Sequence, residues 1–431
     1  MSVIHPSRRS FLSLTAGAAG AAVATTQANA APTMPAAPDV SPQDLARNQT
    51  YWSAIAAQYA VTPDITNIEN GYWGIMAAPV MRAYQTHTER VNAENTYYAR
   101  GAYGRDIDKV YERLSTFLGV NPDELLLTRG ASEALQILIG GYNKLNPGDA
   151  VLYADLDYGA MKSAMTWLAD RRGVDVIKIN LPEPATRENI IQTYADAFDA
   201  HPNLRMTLLT HLNNLTGLIH PVKEISALAK SHGIDVILDS AHAIGQINFD
   251  LAEFDVDFAG FNLHKWIGAP IGCGLLYIRK PRIRDIDRFM NEPGDEDDIR
   301  ARAHTGTLNF AAHLTIPDAL NFHEAIGIDA KEARLRYLRN LWVEDARTID
   351  GVDILTPDDP DMVAALTSFR FKNRTTTDKN NAIMRALAEE HGIFTVRRTG
   401  PAAGDCVRVT PALYNSPADM ARLAPALAAL S

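Results

Sequence analysis

Lys265 and Asp239 are the two residues of this chain whose types and spacing point most directly to chemistry. Lys265 follows the strand-like run 258–263, and Asp239 lies near the end of the apolar run 235–240. A parallel sheet would bury such a carboxylate, so its charge needs a cationic partner. A protonated pyridine nitrogen supplies that partner, and a lysine amine beside it forms a Schiff base. The pair therefore predicts pyridoxal phosphate (PLP) as cofactor, with Lys265 and Asp239 as catalytic residues.

The surroundings of Lys265 favour a reactive amine. Beside a bound pyridinium and away from water, a lysine has a lowered pKa, and once released by substrate it can move protons at Cα. His242 stands three residues after Asp239 and is placed to contact the ring or its oxygen, which makes it the third catalytic candidate. Two plainer interpretations stay open at this point: Lys265 as a surface residue with a salt-bridge partner, and Asp239 as a helix cap.

A phosphate site is predicted where small residues lead from a strand into a helix. Gly130, Ala131 and Ser132 form such a turn, in which backbone amides and the helix dipole favour an anion. Asn262 and His264 lie in the same segment as the lysine and can reach this phosphate. An ordinary helix start capped by Ser132 is the alternative.

Three further residues follow predicted strands, at the sheet edge where open α/β folds bind ligands. Tyr158 could stack on the pyridine face, although most tyrosines at loop edges only pack. Asn214 could donate to the phenolic oxygen of the cofactor, and His211 could face substrate. A plain Asn-rich turn is the alternative for this pair.

The order of apolar runs predicts an α/β fold with helices on both faces of a mostly parallel sheet. Strands are expected at residues 124–128, 150–154, 174–180, 206–212, 235–240, 258–263 and 273–279. Helical patterns between them include 132–145, 161–172 and 222–232. A smaller α+β region is predicted from helices at 329–348, 378–391 and 417–430 and strands near 364–371, 394–398 and 406–410. We expect a large domain at 51–330 and a small one at 331–431.

Composition and charge narrow the class of protein. The chain has 431 residues, a formal net charge of -10 and no basic block, so neither nucleic acid nor an anionic membrane surface is an expected partner. Cys273 and Cys406 allow one disulfide at most and no four-cysteine zinc site, and no metal site is expected. Both cysteines lie in strand-like runs, where buried free thiols are favoured.

The first 30 residues predict targeting rather than fold. The run Ser7-Arg8-Arg9-Ser10-Phe11-Leu12 is a twin-arginine (Tat) pattern, and Ala28-Asn29-Ala30 is a cleavage signature after an apolar stretch too short for a membrane span. We expect a signal peptide at 1–30, a linker at 31–50 and a periplasmic location. The Tat translocase carries folded proteins, so PLP could be loaded before export. A chance Arg-Arg pair in a tail is the alternative.

Together these motifs resemble the class V aminotransferase family of PLP fold type I, in particular its isopenicillin N epimerase-like branch. The resemblance runs from about Asn67 to the C-terminus. Its motifs are residues 128–133, 211–217, 239–242, 262–265, 304–309 and 408–415, and their order and spacing are specific. The resemblance implies a mostly parallel seven-stranded sheet flanked by helices and a smaller C-terminal α+β domain.

The resemblance assigns the same cofactor roles to the residues above and adds others. Gly306 and Thr307 match the segment that reaches the phosphate of a neighbouring subunit, which implies a homodimer with shared active sites. Arg408 matches the arginine that grips a substrate carboxylate, a task that suits its planar fork. Tyr72, in the run 70–74, resembles the substrate-side loop at the opening of the family's active site, and a packing role is equally open.

The predicted function is that of a PLP-dependent enzyme acting at Cα of an amino acid or amino-acid-containing metabolite. Aminotransferase-type chemistry is favoured, because an epimerase needs a second acid on the far face of Cα and the sequence identifies none. The alternatives are an isopenicillin N epimerase-like amino-acid epimerase, a PLP-dependent lyase and a non-catalytic PLP-fold binding protein. Cysteine desulfuration is disfavoured, because a persulfide needs an exposed thiolate and no cysteine lies between Cys273 and Cys406.

Overall fold

Seven strands form the central sheet of this chain, whose structure, a computed structural model, describes residues 34–304 and 306–431. In chain order they are β1 (Leu125–Thr128), β2 (Ala150–Ala154), β3 (Asp175–Ile179), β4 (Leu204–Thr210), β5 (Asp235–Asp239), β6 (Phe258–Asn262) and β7 (Gly274–Ile278). Across the sheet their order is β1-β7-β6-β5-β4-β2-β3. β7 is antiparallel to β1 and β6, and the other neighbouring pairs are parallel. The predicted fold class is confirmed.

The sheet is buried because its strands consist largely of apolar residues. Every residue of β1, β6 and β7 is buried, whereas β3 at the edge is partly exposed. Gly260 in β6 lets the helix Ala131–Gly141 pack close, since a Cβ there would lie 2.8 Å from Leu135 Cγ. This close packing places the start of that helix near the end of β6, where the predicted phosphate turn and lysine segment meet.

Helices flank the sheet, as the apolar periodicity predicted. Between the N-terminal segment and residue 327, the helices are Ala78–Arg100, Tyr103–Leu118, Ala131–Gly141, Gly159–Arg172, Arg187–Ala200, Val222–Ser231, Phe310–Leu314 and Ile316–Ile326. The strand expected at 206–212 is observed two residues earlier, as β4. It ends there because a turn follows, in which the Asn213 side chain accepts hydrogen bonds from the amides of Leu215 and Thr216. Within residues 34–304 and 306–431, none of the helices has both the length and the apolar character needed to cross a membrane.

The C-terminal part adds a four-stranded antiparallel sheet with the order β10-β11-β9-β8, made of β8 (Val352–Ile354), β9 (Thr367–Phe371), β10 (Val396–Arg398) and β11 (Cys406–Val409). Its helices are Ile328–Ala346, Thr377–His391, Pro417–Ala421 and Leu423–Leu430. The single helix predicted at 417–430 is interrupted at Arg422. The reason is Pro425, which has no amide hydrogen to donate to the carbonyl of Ala421. The domain boundary near residue 330 stays a prediction.

The segment expected to be a linker, residues 31–50, is instead partly helical. Helices Pro42–Arg47 and Gln49–Ala56 occupy its second half and continue beyond it. Leu45 and Trp52 are buried, and the Trp52 indole donates to the Leu45 carbonyl (2.7 Å). Burial of these apolar side chains stabilises the helices and corrects the linker interpretation. The predicted signal peptide, its cleavage site and residues 31–33 lie outside the described residues.

Candidate active site

The carboxyl ends of β5 and β6 bring the predicted catalytic residues together. Asp239 is the last residue of β5 and pairs in register with Gly260 of the adjacent parallel strand. The chain leaves β6 at Asn262, and Lys265 follows directly. Because parallel strands end at the same edge of a sheet, the charges of Asp239 and Lys265 act on each other.

Asp239 is a buried carboxylate without a cationic hydrogen-bond partner. It is 5% exposed, and its Oδ1 accepts a hydrogen bond from the amide of Ala241 (3.0 Å). Burial raises its pKa, while the backbone hydrogen bond and the charge of Lys265 oppose that rise. No basic side chain in the described ranges forms an ion pair with it. A pyridinium N–H would supply both the donor and the charge that this site lacks, so Asp239 fits PLP.

Lys265 is a partly buried lysine with an unusually acidic ammonium group. Burial lowers its pKa to about 7, with further lowering by the charges of Arg408 and Arg398. The carboxylates of Asp239 and Glu69 oppose that change. A substantial fraction of the amine is therefore uncharged at neutral pH, which is the form that attacks a carbonyl.

His242 stands between Lys265 and an indole. It is 4% exposed, its Nε2 lies 2.9 Å from Lys265 Nζ, and its Nδ1 accepts a hydrogen bond from Trp266 Nε1 (3.3 Å). Burial holds the pKa of His242 well below its ordinary value, and the nearby positive charges add to this effect. The imidazole is thus neutral in the free protein.

The predicted phosphate turn lies against the lysine segment. Gly130 precedes the helix Ala131–Gly141 in an extended conformation. A Cβ on Gly130 would lie 2.9 Å from Asn262 Oδ1 and 3.2 Å from His264 Cε1, so a larger residue here would have to displace these side chains. Ser132 is exposed in the first turn of the helix. The convergence at a helix N-terminus suits the phosphate of PLP.

Two predicted phosphate contacts are engaged within the chain itself. The Ala131 amide donates to Asn262 Oδ1 (2.7 Å), so neither that amide nor that oxygen is free to bind phosphate. This corrects the prediction for Ala131 and limits Asn262 to its amide nitrogen. His264 Nδ1 donates to the Cys273 carbonyl (2.9 Å), which leaves a neutral ring with only the Nε2 lone pair. A contact with phosphate therefore requires His264 to take up a proton, although burial lowers its pKa.

The residues expected around the pyridine ring differ in what they offer. Asn214 Oδ1 is buried and has no hydrogen-bond partner in the described part of the chain, so its amide has a polar end available to a bound molecule. Tyr158 is 41% exposed and immediately precedes the helix Gly159–Arg172, with its ring accessible for stacking. Their roles at the cofactor stay predictions.

His211 does not meet the expectation that it faces substrate. Its ring is buried, with Nδ1 3.0 Å from Ser240 Oγ, and it packs edge-on against Phe249 and Phe254. Burial, followed by the nearby His220, lowers its pKa to about 3. The structure therefore corrects this prediction: the turn after β4 directs His211 into the apolar core, where it supports the fold.

Arg408, the predicted substrate-carboxylate residue, contacts a carboxylate of the chain itself. Its Nε donates to Glu69 Oε2 (3.2 Å), its Nη2 to Glu69 Oε1, and its Nη1 to the Asn214 carbonyl (2.8 Å). Both side chains of the ion pair are buried. Gly71 lies over the guanidinium, since a Cβ there would be 2.5 Å from Nη2. A substrate carboxylate at Arg408 therefore has to compete with Glu69.

We expect Glu69→Gln to lower the free energy of unfolding by about 3 kcal/mol, because it leaves the buried Arg408 without its carboxylate. Urea unfolding followed by circular dichroism measures the loss. Asp358→Asn is the matched control, because it removes the exposed partner of Arg347 and should cost less than ~1 kcal/mol. Similar small losses in both variants would contradict a stabilising buried ion pair.

Two charged residues that sequence analysis missed lie near this cluster. Arg398 Nη2 is 3.6 Å from Glu69 Oε1, and the charge of Arg398 lowers the pKa of Lys265. Asp157 is buried and accepts hydrogen bonds from Thr210 Oγ1 (2.6 Å) and the Ala154 amide (2.7 Å). Burial raises the pKa of Asp157 to about 7.

A simple signal was available for most of the missed residues. Glu69, Asp157 and Trp266 are each the immediate neighbour of a residue or run that was singled out, namely 70–74, Tyr158 and Lys265. Each of the three had a neighbour with an assigned role, but none was given a role of its own. Their partners could not have been named, because those come from distant parts of the chain.

The remaining predicted site residues are exposed. Gly306 and Thr307 lie in a loop ahead of the helix Phe310–Leu314, with Gly306 at a φ of 61° that favours glycine. Tyr72 is 71% exposed and lies edge-on to Trp73. The contacts predicted for these residues, with a neighbouring subunit and with substrate, stay predictions.

The sheet order, with a lysine and a buried carboxylate at its carboxyl edge, defines a class of protein, the α/β enzymes of PLP fold type I. The family model named aminotransferase class-V matches residues 76–423, and the chain belongs to this family. Pyridoxal phosphate is accordingly its cofactor.

Relatives of known name include enzymes with different reactions. The isopenicillin N epimerase of Streptomyces clavuligerus is 25% identical over 402 residues, which cover 88% of this chain and 98% of that protein. A probable cysteine desulfurase of Methanothermobacter thermautotrophicus is 28% identical over 332 residues, covering 73% of this chain and 79% of that one. The family is therefore shown, while the reaction differs among its members.

Solved structures agree on the fold. The apo cysteine desulfurase of Thermococcus onnurineus NA1 has a TM-score of 0.75 at 18% identity, covering 86% of this chain and 96% of that one. A C-DES mutant with glycine covalently linked to its PLP cofactor has a TM-score of 0.76 at 21% identity, covering 86% and 98%. At these identities the similarity establishes the architecture alone.

Proposed function

We propose that this chain catalyses a PLP-dependent reaction at Cα of an amino acid or amino-acid-containing metabolite, with aminotransferase-type chemistry. One observation carries the proposal: the partly buried Lys265 amine, whose pKa is lowered to about 7, interacts electrostatically with the buried carboxylate of Asp239, which has no ion-pair partner among the described residues. When bound, PLP withdraws electrons from Cα of an attached substrate.

Each residue of the site then has a defined task. Asp239 accepts the pyridine N–H and keeps that proton in place, because a buried carboxylate gains most from a charged partner. Lys265 would act as the base that removes the proton from Cα and, in transamination, as the acid that returns a proton away from Cα. His242 stays neutral beside the amine. The helix N-terminus after Gly130 would hold the phosphate.

The two cysteines argue against a persulfide mechanism. Cys273 and Cys406 are both fully buried, and burial raises the pKa of each thiol, to about 11 for Cys406. A nucleophilic cysteine must be exposed and readily ionised. Cysteine desulfuration, the reaction named for some of its relatives, is therefore disfavoured for this chain.

Epimerisation is the second candidate, supported by the match to 98% of the length of an isopenicillin N epimerase. The two reactions diverge in where the proton returns. Incubation of the PLP-loaded enzyme with single amino acids in deuterated water separates them. Transamination yields pyridoxamine phosphate and an oxo acid, whereas epimerisation yields the inverted amino acid with deuterium at Cα.

Chiral chromatography and mass spectrometry read both outcomes, with Lys265→Ala as the inactive control. We expect pyridoxamine phosphate to accumulate. Inverted, deuterated amino acid without pyridoxamine phosphate would replace this proposal by the epimerase alternative. Elimination products such as pyruvate and ammonia would replace it by the lyase alternative.

We also propose that the enzyme is an exported homodimer. The exposed loop with Gly306 and Thr307 is available to a second subunit, and the Tat pattern at Arg8 and Arg9 favours export. Light scattering tests the first point, with an expected mass about twice that of the chain. Cell fractionation after replacing both arginines by lysine tests the second, and unchanged export would contradict it.

A further inference from the structure

Trp266, the residue after Lys265, forms a hydrogen bond with the ring nitrogen of His242 that faces away from the lysine amine. Its indole donates to His242 Nδ1 (3.3 Å), while His242 Nε2 lies 2.9 Å from Lys265 Nζ. Trp266 is 7% exposed. The three side chains therefore form a continuous line from indole to amine, largely shielded from water.

Contacts to the backbone hold Trp266 and His242 in place. The Trp266 carbonyl accepts a hydrogen bond from Nζ of the buried Lys331. The Gln246 side chain donates to the His242 carbonyl (2.8 Å). Gly245 packs on the Trp266 backbone, where a Cβ would lie 2.9 Å from the carbonyl carbon. The imidazole and the indole are thus held in one mutual arrangement.

The donors and acceptors of these three side chains limit the tautomer of His242 and the charge of Lys265. An indole N–H can only donate, so His242 Nδ1 must present its lone pair. A neutral imidazole then carries its proton on Nε2, and this N–H points at Lys265 Nζ. An ammonium group has no lone pair to accept it. The contact is therefore a hydrogen bond only when the lysine amine is uncharged.

We propose that Trp266 is a positioning residue that sets the Nε2–H tautomer of His242 and thereby keeps the amine of Lys265 uncharged for attack on the cofactor. This inference rests on the proposed role of Lys265 and adds the residue that prepares it. His242 Nε2–H stabilises the neutral amine by donating to its lone pair. Without the indole, His242 could adopt the other tautomer and accept from the ammonium.

The other charges around Lys265 act independently of Trp266. Those that influence it are Asp239, Glu69, Arg398 and Arg408, with the neutral His242 in contact. Burial favours the neutral amine most, the two arginines add to this effect, and the two carboxylates favour the ammonium. The effects of the arginines and the carboxylates on the pKa of Lys265 oppose each other. A hydrogen bond from His242 can therefore change the fraction of uncharged amine.

Nitrogen-15 NMR of the cofactor-free protein with labelled histidine tests the tautomer directly. We expect the resonances of His242, assigned from a His242→Gln sample, to show a protonated Nε2 and an unprotonated Nδ1. The Nδ1–H tautomer, or a rapid mixture of both, would overturn the proposal. This measurement needs no enzymatic activity, so it is decided separately from the proposed function.

A variant tests the consequence for the lysine. The rate of PLP capture by apoprotein depends on the uncharged amine, so its pH midpoint reports the amine pKa. We expect Trp266→Phe to raise that midpoint by roughly 1 pH unit, the size of one lost hydrogen bond. Trp342→Phe is the control, because the buried Trp342 Nε1 has no partner within the described residues.

An unchanged midpoint in a Trp266→Phe protein with native circular dichroism would refute the role of Trp266. An equal shift in Trp342→Phe would do the same, because it would trace the effect to lost packing. If Trp266→Phe does not fold, the NMR tautomer of the natural chain decides the question. Failure of the natural chain to capture PLP at all would instead reject the proposed function.

Discussion

We expect Lys265→Ala to abolish the absorption band near ~420 nm expected of the PLP-loaded enzyme and to lower turnover by about 10³-fold or more. The variant loses both the covalent link to the cofactor and the base that moves the Cα proton. Visible spectroscopy after dialysis measures the first effect. Borohydride reduction of the natural protein followed by peptide mapping identifies the attachment point directly, because reduced PLP should appear on the peptide that contains Lys265.

Lys109→Ala provides the matched control for loss of a lysine. The Lys109 side chain is 74% exposed on a helix, far along the chain from the site segment, and its removal should leave the band intact. A band that persists in Lys265→Ala, or a labelled peptide from another lysine, would reject Lys265 as the attachment point. Absence of any band in the natural protein would remove the enzymatic interpretation altogether.

Asp239→Asn should reduce turnover by about 10² to 10⁴-fold, the equivalent of losing one partner of a buried ion pair. The amide preserves the shape of the side chain and can still accept the hydrogen bond from Ala241. It cannot hold a proton on the pyridine nitrogen, so the ring withdraws electrons less strongly. Steady-state kinetics measures the loss, with an amino acid that proves to be a substrate in the deuterated-water incubation.

Two readouts separate this electrostatic role from a structural one. The apoprotein of Asp239→Asn should be at least as stable as the natural chain, because burial already disfavours the charged carboxylate. Reconstitution with N-methylated PLP, whose ring nitrogen carries a permanent positive charge, should restore much of the lost activity. A destabilised apoprotein together with no rescue would mean that Asp239 serves the fold and not the pyridinium.

The positions of the strands could be predicted from the sequence, because β-strands of a parallel sheet are short apolar runs with their own signal. β2, β5 and β6 are observed within one residue of their predicted bounds. The edge at which ligands bind follows from strand direction, so Asp239 and Lys265 could be placed together before the structure was known. Segments with mixed composition were harder: residues 31–50 look like a linker until Leu45 and Trp52 find a core to pack against.

The residues around the reactive pair could not be predicted as partners. Glu69 and Arg408 are 339 positions apart, and nothing local to either indicates that one neutralises the other. His211 carries the right chemistry after the right strand, yet two phenylalanines enclose it in the core. Side-chain direction after a strand depends on the turn that follows, and that turn is set by contacts with the rest of the fold.

The sequence by itself determined the fold class and the cofactor and singled out one lysine and one carboxylate as candidates, because each signal is encoded in a short run of residues. Tertiary structure alone decided the state of the groups: the lowered pKa of Lys265, the carboxylate already held by Arg408, and the indole of Trp266 behind His242. The physical reason is that charge, burial and tautomer depend on every neighbour within a few ångströms. Those neighbours come from strands, helices and loops that only folding brings together.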